Sequence, residues 1–442
     1  MGHEVKIVNT ATYYLSNQTY AIMQNFSPKT PNDGDTSVID TIETTFYSVT
    51  TNGLRGMKRN IEMQFEAARR RAKSKNGIKT YLVFKYNGDT TEYRTEIIDG
   101  KVEIIENSLH KSTTGFMKVR VYVEHVPFWE GARTQLTLTN PNGTNNTSGL
   151  TIRNCTDGGR ANYVSIDYDE VTGSLWTPIE LEIKNLTAAR QIKNIYAYID
   201  NDNTGSINFV PQIEGESGTA SGSSNKVTTS ANSNSTVKTV PVNTTNSITW
   251  TLTSAQLQYA AGRNFTLLGK FSPNISGIYA SASLSAVGVT IAQTKEVLLG
   301  DAEKMQNLGT FALPPGGEAW ALMPLTLTVN FRAPSSATVL VDFVHFMLSD
   351  DKCFFHGVMP ADVWFDINDK IIIDLIEEDM YVDSVVTNIG RIPFIYGRGN
   401  GFYFSPTQEY KKIYFLIDGV STSADWSFAI KAFYRPRVPT PF

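Results

Sequence analysis

The residues best equipped for chemistry in this 442-residue chain are its carboxylates. One cluster, "DLIEEDMYVD", holds Asp374, Glu377, Glu378, Asp379 and Asp383; another, "DYDE", holds Asp167, Asp169 and Glu170. Glycoside hydrolysis needs two such groups about 5–10 Å apart across a sugar cleft. Spacing along a chain does not give that separation, and acidic residues at strand edges are ordinarily just solvated. A glycoside hydrolase therefore ranks below the other readings. "DNDNTGS" puts Asp200, Asp202, Thr204 and Gly205 at positions 1, 3, 5 and 6 of a calcium-loop pattern. Its twelfth position is Pro211 instead of Glu, so a turn between strands explains the composition better.

The five histidines, His3, His110, His125, His345 and His356, never pair at i+2, i+3 or i+4 spacing. His345, in "VLVDFVHFML", shares a strand face with Val341 and Phe343 and reads as a core histidine. Cys353 precedes His356 by three residues in an apolar run without an orienting third group, a poor nucleophile–base pair. No G-x-S-x-G elbow, phosphate loop or dinucleotide fingerprint occurs. The expectation is a protein that is not an enzyme, with no catalytic residues, no cofactor and no metal ligands.

Charge is concentrated in "GMKRNIEMQFEAARRRAKSKNG", residues 56–77, which reads as a helix over about 57–75. Ile61, Phe65, Ala68 and Ala72 make a narrow apolar stripe, and Asn76-Gly77 supplies a stop. Arg69, Arg70, Arg71, Lys73 and Lys75 crowd the last turns, where cations favour the helix dipole. From Arg55 to Lys75 the charge is +6; the whole chain is −4, leaving −10 elsewhere. Nothing outside the window follows a phosphate backbone, so nucleic-acid recognition is not expected. The run is the wet side of a packed helix or a basic rim contacting an acidic neighbour subunit.

The elements that must position these residues are mostly strands. Val119, Val121 and Val123 alternate with Lys118, Arg120 and Tyr122; Ile179, Leu181 and Ile183 alternate with Glu180, Glu182 and Lys184; Leu325, Leu327, Val329 and Phe331 alternate likewise. "YNGD", "NPNG" and "PPGG" separate such runs. The fold class expected is mainly β: an N-terminal β-sandwich with one amphipathic helix, followed by jelly-roll-like β-sandwich domains. Three regions are expected: 1–128 with the helix, 133–350, and a last set of strands over 351–442. Within the second, residues 214–247 are nearly all Ser, Thr, Asn and Gly, and a flexible excursion is expected there.

Two cysteines, Cys155 and Cys353, do not make a disulfide scaffold. No signal-like pattern and no run of 18 apolar residues occurs, so neither export nor membrane insertion is expected. The many Asn-x-Ser/Thr sequons are then a by-product of a Thr- and Asn-rich β sequence.

The order of the first region carries a resemblance. A short leading strand, the helix "IEMQFEAARRRAKSKNG", then "TYLVFKYNGDTTEYRTEIIDGKVEII" and "MKVRVYVEHVPFWEG" resembles the N-terminal domain of the distal tail proteins of long-tailed, siphovirus-like phages. "LTLTNPNGTNNTSGLTIRNCTDGGRANYVSIDYDEVTGSLWTPIELEIKN" resembles segments of phage tail-tip proteins, and "KKIYFLIDG…FAIKAFYRPR" is similar to their C-terminal jelly-roll extensions. The resemblance implies a structural subunit of a virion tail tip or baseplate, assembled in the host bacterial cytoplasm. It implies a ring, commonly a hexamer, joining tail tube to tip-hub proteins, with outer β domains that in some members bind host carbohydrate. In such a ring Arg69, Arg70, Arg71, Lys73 and Lys75 would face a neighbouring copy. The rival from another class is a free carbohydrate-binding β-sandwich protein.

Overall fold

In strand after strand, alternate residues turn inward. The computed structural model describes all residues except 1–2, 18, 108–114, 142, 154–161, 168, 187–189, 202–210, 228–235, 253–261, 301–303, 313–324, 351, 360–363, 377–378, 386–390, 394–395, 407–408, 420–426 and 442. The chain forms two units: Met1–Thr134, Thr172–Thr177 and Arg435–Phe442 make the first, and Gln135–Val171 with Pro178–Tyr434 the second. The protein is mainly β, with one long helix among the described residues, as the alternation predicts.

In the first unit, β1 (Glu4–Val8), β2 (Thr12–Ser16), β3 (Ala21–Phe26) and β4 (Val38–Ser48) precede α1 (Thr51–Ser74). After it come β5 (Tyr81–Lys85), β6 (Glu92–Asn107), β7 (Gly115–His125) and β8 (Trp129–Glu130). The strands lie in the order β2–β1–β5–β6–β7–β4–β3, and the pairings are antiparallel. β6 is the hinge of this sheet. Its first part pairs with β5, its second with β7, and the register shifts between Ile97 and Asp99, where the strand changes partner. β7 buries Met117, Val119, Val121, Val123 and His125 on one face and leaves the alternate residues half-exposed.

Helix α1 starts six residues earlier than its sequence suggests. Thr50 is extended and its Oγ1 accepts the Gly53 N–H at 3.0 Å, an N-cap that outweighs the poor propensity of Gly53 and Gly56. The earlier start brings Leu54 into the core with Ile61, Phe65 and Ala68, whereas Ala72 is exposed. Two strand glycines receive the helix: a Cβ on Gly100 would lie 2.5 Å from the Phe65 ring, and one on Gly115 would lie 2.7 Å from Leu54. Fully burying a side chain such as Phe65 contributes roughly 1.5–3 kcal/mol, which this close approach makes available. At the other end Lys75 turns left-handed (φ 58°) and returns its N–H to the Arg71 carbonyl at 2.8 Å.

The first unit also takes in residues from beyond the second. Arg437–Val438 pairs with β8, and the Gly131 N–H donates to the Pro436 carbonyl at 2.8 Å. Arg437 stacks 3.8 Å from the Phe128 ring centre and reaches the buried Glu130 at 2.8 Å, which Arg94 holds from 3.2 Å.

The second unit is built on Leu325–Leu348. That strand pairs with Thr236–Leu252 along one edge, and with Tyr279–Ala286 and then Asn264–Pro273 along the other. Much of the segment 214–247 is therefore strand instead of a flexible excursion: Ser224–Val227 and the start of Thr236–Leu252 pair with one another. Composition misleads there because β-branched Thr suits a pleated surface, and Val237, Val240 and Val242 are enough apolar anchors to bury. The region after 350 is likewise no separate body. Cys353–Val358 and Lys411–Gly419 flank Arg190–Asp200, while Lys370–Asp374 and Ser427–Tyr434 flank Thr177–Asn185.

Candidate subunit interface

The basic run on α1 divides by what each cation touches. Arg69 is clamped to the sheet: Nε donates to Asp99 at 2.5 Å, Nη2 to the Gly100 carbonyl at 3.0 Å and Nη1 to Glu66 at 2.7 Å. The Asp99 hydrogen bond holds this guanidinium above its ordinary pKa. Arg71 donates back to the Lys75 carbonyl and closes the helix end. Arg70, 3.5 Å from Glu66, is exposed, as are Lys73 and Lys75. Two of the five predicted cations thus hold α1 and its end in place, and three face outward.

Beside the Arg69 clamp lies the open face of β6, β7 and β4. A cleft of about 620 Å³ there is lined by Lys29, Ile39, Asp99, Lys101, Tyr122 and Glu124 among others. Its charges have both signs, which does not suit a polyanion. Across the same face Arg120 reaches Glu43 at 2.6 Å, and Lys101 reaches Glu103 at 2.7 Å while lying 4.5 Å from the Tyr122 ring centre. Both carboxyls are held below the usual glutamate range by those hydrogen bonds. The face is internally neutralised.

The edges of this sheet are different. Among the described residues β3 pairs only with β4, and β6 from Lys101 to Glu106 pairs only with β7. Over Lys101–Glu106, alternate residues of β6 therefore carry their N–H and C=O on a side that no described strand takes up. Large apolar side chains are exposed along both edges: Ile22 at 46% on β3, and Ile104 and Ile105 at 41% and 45% on β6. Sequence reading missed these edges. The length of the "EYRTEIIDGKVEIIEN" run was the available signal, since 16 residues outrun any one partner strand there.

Among the described residues the other predicted site residues form no group of three or more metal-type ligands. Asp374 and Asp379 face each other across a hairpin, Asp167 and Glu170 share a turn, and Glu377 and Glu378 lie outside the described residues. Asp200 is buried 3.6 Å from Arg263; Asp202, Thr204 and Gly205 lie outside the described residues. Cys353 donates its thiol to the Asp350 carbonyl, burial pushes its pKa up, and as odd neighbours on one strand Cys353 and His356 point to opposite faces. His356 stacks on Tyr196 at 4.1 Å, His3 packs on Phe84 and Tyr86, and His110 and Cys155 lie outside the described residues.

No protein-family model and no curated protein matches the chain. Among solved structures, it aligns with a chain of the phage P2 baseplate in its activated conformation with Ca at 10% identity, over 46% of this chain and 74% of that one, with a TM-score of 0.26. It aligns with the Dit protein of SPP1, described as a paradigm of hub adsorption apparatus in phages infecting Gram-positive hosts, at 9% identity over 78% and 99%, TM-score 0.21. A third alignment, to infectious bursal disease virus, has a TM-score of 0.14. Superpositions this loose do not establish a shared fold.

Proposed function

We propose that this protein is a structural, non-catalytic subunit of a phage tail tip or baseplate, in which copies meet edge to edge through the β6–β7–β4–β3 sheet of the first unit. The observation that carries the proposal is the pair of open edges. An edge strand with unmet backbone groups and exposed isoleucines is a liability in a monomer and a template in an assembly. β3 and β6 are different edges on opposite sides of one sheet, so joining them is a head-to-tail contact, which closes into a ring when the rotation allows. The resemblance of "TYLVFKY" through "MKVRVYVEHVPFWEG" to distal tail proteins supports the same class. It also suggests the remaining partners, the tail tube and the hub. Arg70, Lys73 and Lys75 then form a basic rim for the neighbour, with Arg69 and Arg71 fixing the helix that presents it.

The test is Ile104→Pro. Proline cannot donate a ladder hydrogen bond and is a residue that blocks strand addition at an edge. Light scattering should show wild-type assemblies and a folded, unassembled variant with unchanged circular dichroism. A wild type that stays monomeric in every salt, or a variant that assembles normally, overturns the proposal.

A further inference from the structure

Two neighbouring strands of the second unit bring together a lysine and an aspartate that water does not reach. Lys270, on Asn264–Pro273, is 1% exposed and Asp342, on Leu325–Leu348, is 2% exposed. The lysine Nζ lies 3.3 Å from the carboxylate Oδ2. The ladder between the two strands is irregular at this step. Lys270 pairs with Phe343 and Phe271 with Val341, so Asp342 is the extra residue of a β-bulge. Along its other edge the same strand passes from Lys238, opposite Val341, to Glu214, opposite Phe343, and again skips Asp342. The adjoining positions are apolar: Leu268, Phe271, Val341, Phe343 and Val344 are each at most 1% exposed. The turn Gly215–Ser217 closes over the bulge. A Cβ on Gly215 would lie 2.0 Å from the Val341 carbonyl oxygen and 2.9 Å from that of Asp342.

An ion pair is a costly way to fill such a place, because each charge gives up hydration that mutual attraction only partly returns. Moving one proton from the ammonium to the carboxylate removes both charges and leaves an amine against a carboxylic acid. These are the two reactants of amide formation. We propose that Lys270 and Asp342 are joined by an isopeptide bond. The amine Nζ attacks Asp342 Cγ, the Nζ–Cγ bond forms and one Cγ–O bond breaks. The acid's hydroxyl leaves with one amine proton as water, so nothing is oxidised or reduced and no co-reactant is consumed. Fixed proximity supplies the rate, since well-oriented groups reach effective concentrations on the order of 10⁵–10⁸ M. Burial supplies the direction, because the hydrated ion pair that favours hydrolysis in water is not available here. The bond lies within the second unit and does not rest on the assembly proposed above.

The test is the mass of the full-length protein, denatured and measured intact. It should be one water lighter than its sequence requires. Trypsin should then release a branched peptide, uncut after Lys270 and joined through that residue to the stretch holding Asp342. Lys270→Met combined with Asp342→Leu keeps the core filled and uncharged, a replacement that buried ion pairs often tolerate. That double variant should show its full sequence mass, with wild-type circular dichroism. A wild type at its full sequence mass overturns the proposal. So does a missing water that persists in the double variant, or one that trypsin maps elsewhere, such as a succinimide at Asp33-Gly34.

Discussion

Each unit buries a histidine, and the two are treated in opposite ways. In the first unit, Nε2 of His125 lies 3.0 Å from Asp40, and Nδ1 lies 2.6 Å from the Val126 carbonyl and 2.9 Å from the Thr95 hydroxyl. The other Asp40 oxygen accepts the Lys29 N–H at 2.9 Å, so the node ties β4, β6 and the end of β7 to the loop after β3. In the second unit, Nε2 of His345 meets the Tyr198 hydroxyl at 2.8 Å, Tyr198 stacks on Tyr414, and Nδ1 has no hydrogen-bond partner among the described residues. Burial without a countercharge pushes that imidazole down to about 3. The first unit holds its histidine by hydrogen bonds on both ring nitrogens and the second chiefly by packing. A polar node is therefore a point of failure when a partner is removed in one unit, and when a proton is added in the other.

The largest effect should come from breaking the first node. Asp40→Ala leaves a buried imidazole and the Lys29 amide without their acceptor, and each buried group left unmet costs roughly 1–3 kcal/mol. Urea unfolding should show that loss. A change below about 1 kcal/mol would mean the node contributes little more than an ordinary hydrogen bond.

The second node should fail with acid. The folded value of His345, about 3, lies below the 6.5 of the unfolded side chain. As pH falls from 6.5 towards 3, the unfolded chain takes up a proton that the folded one refuses, so stability falls, by up to about 1.4 kcal/mol per pH unit. His345→Gln cannot titrate and should flatten that part of the curve in urea melts across the window. An unchanged slope would place the acid sensitivity elsewhere.

The smallest effect sharpens the contrast between buried and surface charge. Arg70→Glu with Lys73→Glu should change monomer stability by no more than about 0.5 kcal/mol per site. It should make assembly strongly salt-dependent. Normal assembly at low salt would leave the interface to the strand edges alone.

What could be read from the sequence follows the range of the interaction. Period-two alternation is local, so "KVRVYVEH" and "PLTLTVNF" declared themselves as strands, and the stripe Ile61, Phe65, Ala68 declared α1. The start of the helix did not, because the gains from Leu54 against Gly115 and from the Thr50 cap are needed to offset two glycines. Pairing is non-local: nothing in "KKIYFLIDG" says that it lies beside "RQIKNIYAYID" more than 200 residues earlier. The same holds for the functional candidates. The basic run was conspicuous, yet Arg69 and Arg71 turn inward to Asp99, Gly100 and Lys75, contacts that depend on where β6 and the helix end lie.

The return of Arg437 to Glu130 and Phe128 has a consequence for how such a chain can vary. With residue 131 bonded to residue 436, everything between them is, for most of the first unit, one very long loop, apart from the Thr172–Thr177 segment it recruits. Closure entropy grows only slowly with loop length, each doubling adding about 0.6 kcal/mol. The second unit is thus an insertion whose length can change at little entropic cost while the strands of the first unit keep the same frame.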